Sequence, residues 1–371
     1  MSLERIGLFY VRSGYDALNA FTDYLAEALR SIRGVEVSIF QTNSPDQLFK
    51  DISIFDAQAY IVLNSLFKGK TGGFICDYIK RPMIYYIVDT PFHFDNPDSP
   101  FLSVACIDRG HCNFLLKKGY DRTLFVPHCV NKSRIEKPDV KRKYGCVMLS
   151  SGIDYEKIND RFFGALPEPV FKKVKEAFEK LESDPLLLVD DALSLDLPAY
   201  ISRNQILRQI DLYLKGKERV QMLKEMEGIP IDLFGGGDSW EEILGNQFPH
   251  VTVHKEIPFL ESIEILKNAK IVLNSCSSIR DGAHERIFLG LACGASIATA
   301  FTPYLDEEFK KDEGIVFHPS FADMKEKIAL WLKDDSIRCT EVTAGQQRIE
   351  EAHLWKHRAA QLYAALYKLI T

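Results

Sequence analysis

Residues 281–295 have the sequence DGAHERIFLGLACGA, and this stretch decides the fold of the chain. Apolar runs flank it at residues 270–274 and 295–299, and each run predicts a buried strand. A helix over about residues 285–293 joins the two strands. A strand, a helix and a strand in this order predict two neighbouring parallel strands of an α/β sheet.

The same stretch predicts a site for an anion. Gly282 lets the backbone approach a ligand just before the helix, and the first helical amides lack partners within the helix. His284 and Arg286 add side-chain donors at the same place. These groups suit a cluster of anionic oxygens, above all phosphate. The structural alternative for His284 and Arg286 is a capped surface helix with an ordinary ion pair.

Length and composition limit the class of protein. The 371 residues fit two domains, and a chain that is 46% hydrophobic and 26% charged is globular. The net charge of -6 argues against broad nucleic-acid binding. The eight cysteines lack paired metal-type spacing, so we expect free thiols in a reducing cytoplasm. We see no targeting segment and no apolar run that could span a bilayer, so we expect a cytoplasmic protein without stable membrane insertion.

The first half alternates apolar strands with helical segments. Residues 6–11 and 35–40 are predicted strands on either side of a helix, and further strands follow at 59–64, 83–88 and 103–107. Strands that are apolar throughout are buried on both faces, so helices must cover both sides of a parallel sheet. We assign residues 1–140 to this first domain.

Polar residues follow several of these strands, at the edge where parallel sheets bind ligands. Gly14 follows the first strand, and Asp89 follows the strand at 83–88. Asp89 opens a polar, aromatic loop and is a candidate general base or acceptor-binding carboxylate. The alternative is a turn residue before Pro91. His93, in the same loop, is the weaker catalytic candidate.

The second domain is predicted at residues 141–345, with a mainly helical insertion at about 154–228. The insertion shows no chemistry, and the adjacent Asp190 and Asp191 are interpreted as solvated rather than as metal ligands. Gly235, Gly236 and Gly237 follow a strand, so their amides either meet a ligand or form a flexible turn.

The C-terminal segment is predicted as one long amphipathic helix or two with a kink. His353 and His357 lie one turn apart in it, and we expect solvated histidines rather than a metal site. Residues alone therefore predict two nucleotide-binding-type domains that face each other across a cleft, with a phosphate-bearing ligand on the second.

Several segments of the second half carry a family resemblance. They are Phe234-Gly235, residues 269–274, residues 282–288, residues 291–295, Glu307-Glu308-Phe309, Gly345 and residues 348–358. In order and spacing these segments resemble the group 1 glycosyltransferases of the GT-B fold, most closely their spore-maturation-protein-like branch. The resemblance covers roughly residues 230–360, and in the first half it extends only to the strand order and residues 89–92.

The resemblance implies two facing Rossmann-like, doubly wound parallel-sheet domains, with residues 346–371 returning to the first domain as a helix. It implies transfer of a sugar from a nucleotide-diphosphate-sugar donor to an acceptor of unknown kind: a glycan, a protein or a small molecule. The donor is a substrate, and neither a cofactor nor a metal is implied. The acceptor would lie on the first domain.

The resemblance also implies site residues. The donor diphosphate would meet Gly282, His284 and Arg286, with Gly14 from the first domain. The nucleoside would lie between the loop of Gly235, Gly236 and Gly237 and the 254–258 loop, which contains Ile257. Many retaining relatives carry two glutamates eight positions apart, where this chain has Asp281 and Leu289. No ribose contact is therefore carried over, and retention or inversion stays open.

Three other functions compete with a transferase. A nucleotide-sugar epimerase of the same fold would use the same diphosphate site. A non-catalytic nucleotide-sugar-binding protein would fit the missing second glutamate. A periplasmic-type solute-binding protein is disfavoured because no signal peptide precedes the first strand.

Overall fold

The computed structural model of the protein describes residues 2–11, 16–41, 44–65, 74–93, 99–193, 197–198 and 200–371. The chain forms two compact units, one of Met1–Ser133 with Glu350–Thr371 and the other of Arg134–Ile349. Each unit contains a six-stranded sheet, and every paired strand in both sheets is parallel. None of the helices in the described ranges is long and apolar enough to cross a membrane.

The first unit has the strand order β2-β1-β3-β4-β5-β6. Its strands are β1 (Arg5–Phe9), β2 (Glu36–Phe40), β3 (Ala59–Leu63), β4 (Met83–Ile87), β5 (Leu102–Cys106) and β6 (Thr123–Phe125). Its helices are α1 (Ala17–Arg30), α2 (Pro45–Phe55), α3 (Ile75–Ile79), α4 (Arg109–Lys117) and the C-terminal α15 (Trp355–Ile370). Strands β3, β4 and β5 are buried along their whole length, as expected for a sheet covered on both faces.

The second unit has the strand order β12-β11-β10-β7-β8-β9. Its strands are β7 (Tyr144–Leu149), β8 (Ile231–Phe234), β9 (Val251–His254), β10 (Ala269–Asn274), β11 (Ser296–Ala300) and β12 (Ile315–His318). Its helices are α5 (Tyr155–Ile158), α6 (Glu168–Ser183), α7 (Val189–Ala192), α8 (Arg203–Glu225), α9 (Trp240–Leu244), α10 (Phe259–Lys267), α11 (Glu285–Ala292), α12 (Pro303–Glu308), α13 (Lys325–Lys333) and α14 (Asp335–Ala352). Short 3-10 turns occur at Pro91–His93, Lys132–Arg134 and Ala322–Met324, and a π turn at Asn159–Phe163.

Helix α11 lies close to the sheet because Gly290 has no side chain. A Cβ atom at Gly290 would lie 2.7 Å from Ile297 Cδ1 and 3.2 Å from Val272 Cγ2. Strands β10 and β11 pair in register from Ile271 with Ser296 to Asn274 with Thr299. The predicted strand, helix and strand around residues 281–295 are therefore present, and the helix begins at the carboxyl end of β10.

Helix α8 belongs to the predicted insertion but also contributes to the hydrophobic core of the second unit. Its last turns place Met222, Leu223 and Met226 in the core beside Trp331 of α13.

The interpretation of Asp190 as solvated was wrong. Its Oδ1 lies 2.8 Å from Arg203 Nη2, and both side chains are less than one-fifth exposed.

The C-terminal segment forms two helices, which is one of the two forms predicted. The prediction of a solvated His353 was wrong, because this side chain is buried and its Nδ1 lies 3.1 Å from Arg358 Nη2. His357 Nδ1 accepts a hydrogen bond from the Leu354 amide at 3.1 Å. Burial and neighbouring positive charges lower the pKa of His357.

Candidate functional site

The second sheet changes direction between β7 and β10. The chain adds β8 and β9 on one side of β7, then returns to place β10 on the other side. Ligands of open α/β sheets bind beyond the carboxyl ends of the strands at such a switch point. The segments at this point are Ser150–Gly152 after β7 and the residues that follow Asn274 of β10. Ser150 is buried, and its hydroxyl has no hydrogen-bond partner among the described residues.

His284 is the N-cap residue of α11 and lies between two charged neighbours. Its Nδ1 is 2.5 Å from Glu285 Oε2, and its Nε2 is 2.9 Å from Arg286 Nη2. Because a guanidinium can only donate, Nε2 must accept and Nδ1 must carry the proton of the neutral ring. Because a protonated Nδ1 cannot accept, the 3.3 Å contact from the Arg286 amide to Nδ1 is not a hydrogen bond in this tautomer. A neutral His284 therefore links Glu285 to Arg286.

Arg286 is held in place but not fully satisfied. Its side chain is 15% exposed, and its Nε lies 3.7 Å from Glu285 Oε1. The buried Nη1 has no hydrogen-bond partner within the described ranges. A buried donor without a partner costs roughly 1–3 kcal/mol, so a ligand oxygen that accepts from Nη1 would be stabilising. Glu285 was not among the predicted site residues, although it contacts both His284 and Arg286.

The backbone before α11 is fixed by Thr302. The Thr302 hydroxyl donates to the Gly282 carbonyl at 2.9 Å and accepts from the Leu305 amide at 3.2 Å. One buried side chain therefore caps α12 and positions the loop that leads into α11. The sequence signal for this cap is Thr302 directly before Pro303, a common start of a helix.

The other end of α11 has its carbonyl groups satisfied by side chains. Gln346 Nε2 donates to the Leu291 and Ala292 carbonyls at 3.0 Å each, and Arg142 Nη2 donates to the Cys293 carbonyl at 2.8 Å. The positive charge of Arg142 also suits the negative end of the helix dipole. The positive end of the dipole points to the switch point, where it favours an anion.

The three glycines after β8 are required by close packing. The β7–β8 ladder continues past both strands, since the Gly152 amide donates to the Gly236 carbonyl at 2.6 Å. A Cβ at Gly235 would lie 1.8 Å from the Ser150 carbonyl oxygen, and one at Gly236 would lie 2.0 Å from Glu256 Oε2. Gly237 has a φ of 88°. Gly235, Gly236 and Gly237 therefore pack closely beside the end of β7 and form a ledge at the carboxyl end of the sheet.

The predicted nucleoside loop borders the same edge. Ile257 is half-buried between β9 and α10. Before it, His254 stacks on Phe234 with ring centroids 4.3 Å apart, and its Nε2 lies 2.7 Å from Asp232 Oδ1. The structure thus places Gly235–Gly237 beyond β8 and Ile257 beyond β9, which are two and three strands from β10.

The predicted residues of the first unit are less fully described. Asp89 follows β4, and its Oδ1 accepts a hydrogen bond from the Thr90 amide at 2.9 Å, a local turn contact that leaves both of its interpretations open. His93 ends the short 3-10 turn, and its side chain falls outside the described part of the chain, as does the whole of Gly14.

Leu289, where relatives carry a glutamate, is 5% exposed and lies in the core of the second unit. This position therefore offers no polar group to a ligand. In the ranges that the structure describes, no three His, Cys, Asp or Glu side chains are grouped to hold a metal ion.

Comparison with known proteins supports the predicted class. Residues 208–364 match the family model described as glycosyl transferase-like. The matched residues include the segments at about 230–360 that carry the sequence resemblance. No curated protein matches the chain in sequence.

Solved structures match over nearly the whole chain. A DNA-modifying β-glucosyltransferase, solved with and without uridine diphosphoglucose, has a TM-score of 0.57 and 12% identity and covers 99% of each chain. Sucrose-phosphate synthase from Thermosynechococcus elongatus has a TM-score of 0.57 and 13% identity and covers 98% of each chain. HepE from Anabaena in complex with UDP and glucose has a TM-score of 0.57 and 12% identity, and covers 98% of this chain and 100% of its own. These likenesses confirm the GT-B fold.

Proposed function

We propose that this protein transfers a sugar from a nucleotide-diphosphate-sugar donor to an acceptor, and that the 282–286 segment binds the donor diphosphate. The observation that carries the proposal is the buried Nη1 of Arg286, which has no partner in the described part of the chain. It lies at the start of α11, beside the switch point of the second sheet. A diphosphate oxygen would supply the missing acceptor.

The chemistry of transfer fits these groups. Negative charge grows on the leaving nucleoside diphosphate as the glycosidic bond breaks, and donors fixed in advance stabilise it. Arg286 supplies a positive charge, and the first turn of α11 supplies amide hydrogens and the positive end of a dipole. These groups provide the stabilisation that a metal ion provides elsewhere, so we propose a metal-independent reaction.

His284 acts as a positioning residue in this proposal. As the neutral ring, it accepts from Arg286 Nη2 and thereby directs the remaining guanidinium hydrogens towards the ligand. The nucleoside would lie along the ledge of Gly235–Gly237 with Ile257, and Asp89 and His93 would act on the acceptor. HepE and the β-glucosyltransferase, which were crystallised with uridine nucleotides, support the choice of donor class.

The finer family placement and the location belong to the same proposal. The spacing of Gly282, His284 and Arg286 supports the spore-maturation-protein-like branch. All eight cysteines are free thiols, seven of them buried, which suits a reducing cytoplasm.

The test is a panel of UDP-, GDP- and ADP-sugars measured for thermal stabilisation, followed by an assay of the best binder. We expect stabilisation by one donor class and slow release of the nucleoside diphosphate, accelerated by the true acceptor. Conversion of the sugar without diphosphate release would instead identify an epimerase. Binding without either reaction would identify a nucleotide-sugar sensor.

A further inference from the structure

A pocket lies in the same unit and borders the loop that leads to the 282–286 segment, since Cys276 and Arg280 line it. It has a volume of about 460 Å³ and is bounded by α8, the end of α6 and the loops after β10, β11 and β12. We name it the α8 pocket. Its volume is in the range of small-molecule sites. One side of it is formed by the helical insertion, for which the sequence predicted no catalytic or ligand-binding residues.

The walls of the α8 pocket are mainly apolar. They include Leu181, Leu214, Ile279, Phe301 and Phe321. Leu181, Ile279 and Phe321 are less than 10% exposed, so the wall is part of the packed core rather than a loose surface. An apolar ring or chain would therefore be well accommodated.

The cations of the pocket already have acceptors. Lys217 Nζ lies 2.6 Å from Glu182 Oε1, and Arg280 Nη1 donates to the Pro185 carbonyl. Arg280 also lies close enough to Glu218 to stabilise its negative charge. Because both cations are engaged, the pocket is poorly suited to an anionic ligand.

Three carboxylates line the pocket, and Glu218 is the most enclosed of them, because Glu182 and Asp184 are exposed. It is half-buried in the wall, and its Oε2 accepts the Ser277 amide at 2.8 Å. A carboxylate has about four lone-pair positions, so Glu218 can accept further hydrogen bonds. Burial raises the pKa of Glu218, with Arg280 acting in the opposite direction.

We propose that the α8 pocket binds a neutral small molecule with an apolar ring or chain and a hydroxyl that donates to Glu218. The ligand proposed here is a neutral molecule distinct from the nucleotide-sugar donor, and its binding does not depend on sugar transfer. The apolar walls would hold the body of the molecule, and the Glu218 carboxylate would select a hydroxyl over an ether or an anion.

The probe is 4-biphenylmethanol, titrated by calorimetry against the full chain, with its methyl ether and biphenyl-4-carboxylate as comparisons. The ether has the same rings but no donor, so we expect it to bind at least about tenfold more weakly, as does the carboxylate. Glu218→Gln keeps the size of the side chain but removes its charge. It should weaken binding of the alcohol about five- to tenfold and leave the ether unchanged.

A substitution that fills the α8 pocket tests whether the alcohol binds there. Ala300 lines the pocket at the end of β11, so Ala300→Trp should abolish binding of the alcohol. Leu330→Trp introduces the same side chain at an exposed position of α13 and should leave the affinity unchanged. Thermal unfolding shows that each variant is folded. Absence of saturable binding, equal affinity for the alcohol and its ether, or unchanged binding by folded Ala300→Trp would each overturn the proposal.

Discussion

Arg286 combines a fixed position with an unused donor. His284 and Glu285 hold two sides of its guanidinium, while Nη1 has no partner within the described ranges. Arg286→Ala should therefore weaken nucleoside diphosphate binding by about 1.5–3 kcal/mol, as expected for a hydrogen bond to a charged group. Calorimetric titration of the diphosphate measures this change.

Arg203 provides a matched control for this substitution. It is an arginine of similar burial in the same unit, and it is paired with Asp190. Arg203→Ala should lower stability without changing nucleoside diphosphate affinity. If folded Arg286→Ala binds as tightly as the unaltered protein, Arg286 is not a ligand residue.

Asp89 is predicted to act in the reaction rather than in donor binding. Asp89→Asn keeps an acceptor for the Thr90 amide but removes the base, so turnover should fall about 100-fold or more while donor affinity stays nearly constant. Steady-state kinetics with separate donor binding checks this. Asp108→Asn is the control, because Asp108 follows the neighbouring strand as the N-cap of α4, and Asn caps equally well. Full activity in Asp89→Asn would make Asp89 a turn residue only.

Individual residues were predictable where the chemistry is local in sequence. Gly282, His284 and Arg286 lie within five positions, so one motif predicted that they share a helix start. The tautomer of His284 depends on where three side chains point, and no sequence pattern contains that information. The burial of Leu289 was also beyond sequence reasoning, because the motif predicts only that a carboxylate is missing there.

At the scale of elements, the glycine ledge after β8 gives a sharp prediction. Gly235→Ala would place a Cβ 1.8 Å from the Ser150 carbonyl oxygen, so the two strand ends must separate. We expect a loss of about 1–3 kcal/mol in the free energy of unfolding, typical of overpacking. Denaturant titration measures it.

Gly145→Ala is the matched control for this element. Gly145 lies in β7 of the same sheet, and a Cβ there would meet only Leu332 Cδ2 at an ordinary 3.4 Å. Its stability should change little. Equal stability of the two variants would show that the ledge is not tightly packed.

Strands and helices with a clear hydrophobic periodicity were predictable. Elements recognisable only by the residues at their ends were not. The alternation of apolar runs and helices predicted strands β1 to β5, β10 and β11 in order. Helix α2 was not singled out, although Ser44 before Pro45 is a helix-start signal. The α8 pocket was not predictable, because its walls come from segments more than 100 residues apart in the chain.

At the scale of the whole molecule, each unit contains a buried arginine whose guanidinium donates hydrogen bonds to carbonyl groups distant in sequence. In the first unit, Arg358 donates to the Pro127 carbonyl at 2.8 Å and the His128 carbonyl at 3.3 Å. In the second, Arg338 donates to the Asp139 carbonyl at 2.6 Å and is fully buried. Removing either guanidinium leaves buried acceptors unsatisfied, at roughly 1–3 kcal/mol each.

The two arginines therefore allow a reciprocal experiment. Arg358→Met should speed amide hydrogen exchange in the described parts of 1–133 and 350–371, while Arg338→Met should speed it in 134–349. Each variant serves as the control for the other. If both variants change exchange over the same residues, the two units do not open separately.

The first unit is assembled from both ends of the chain, and this has a consequence for synthesis on the ribosome. Helix α1 packs against α15, and Arg358 of α15 donates to the Pro127 carbonyl just after β6. The ribosome translates all of residues 134–349 after β6 and before α15. At about 5–20 residues per second, the nascent first unit waits roughly 10–40 seconds for its last helix. During that interval α1 lacks its partner helix, and Phe21 lacks the Trp355 ring that it contacts with centroids 5.9 Å apart. The unit translated second can complete its core first, and the nascent chain needs protection at its beginning rather than at its end.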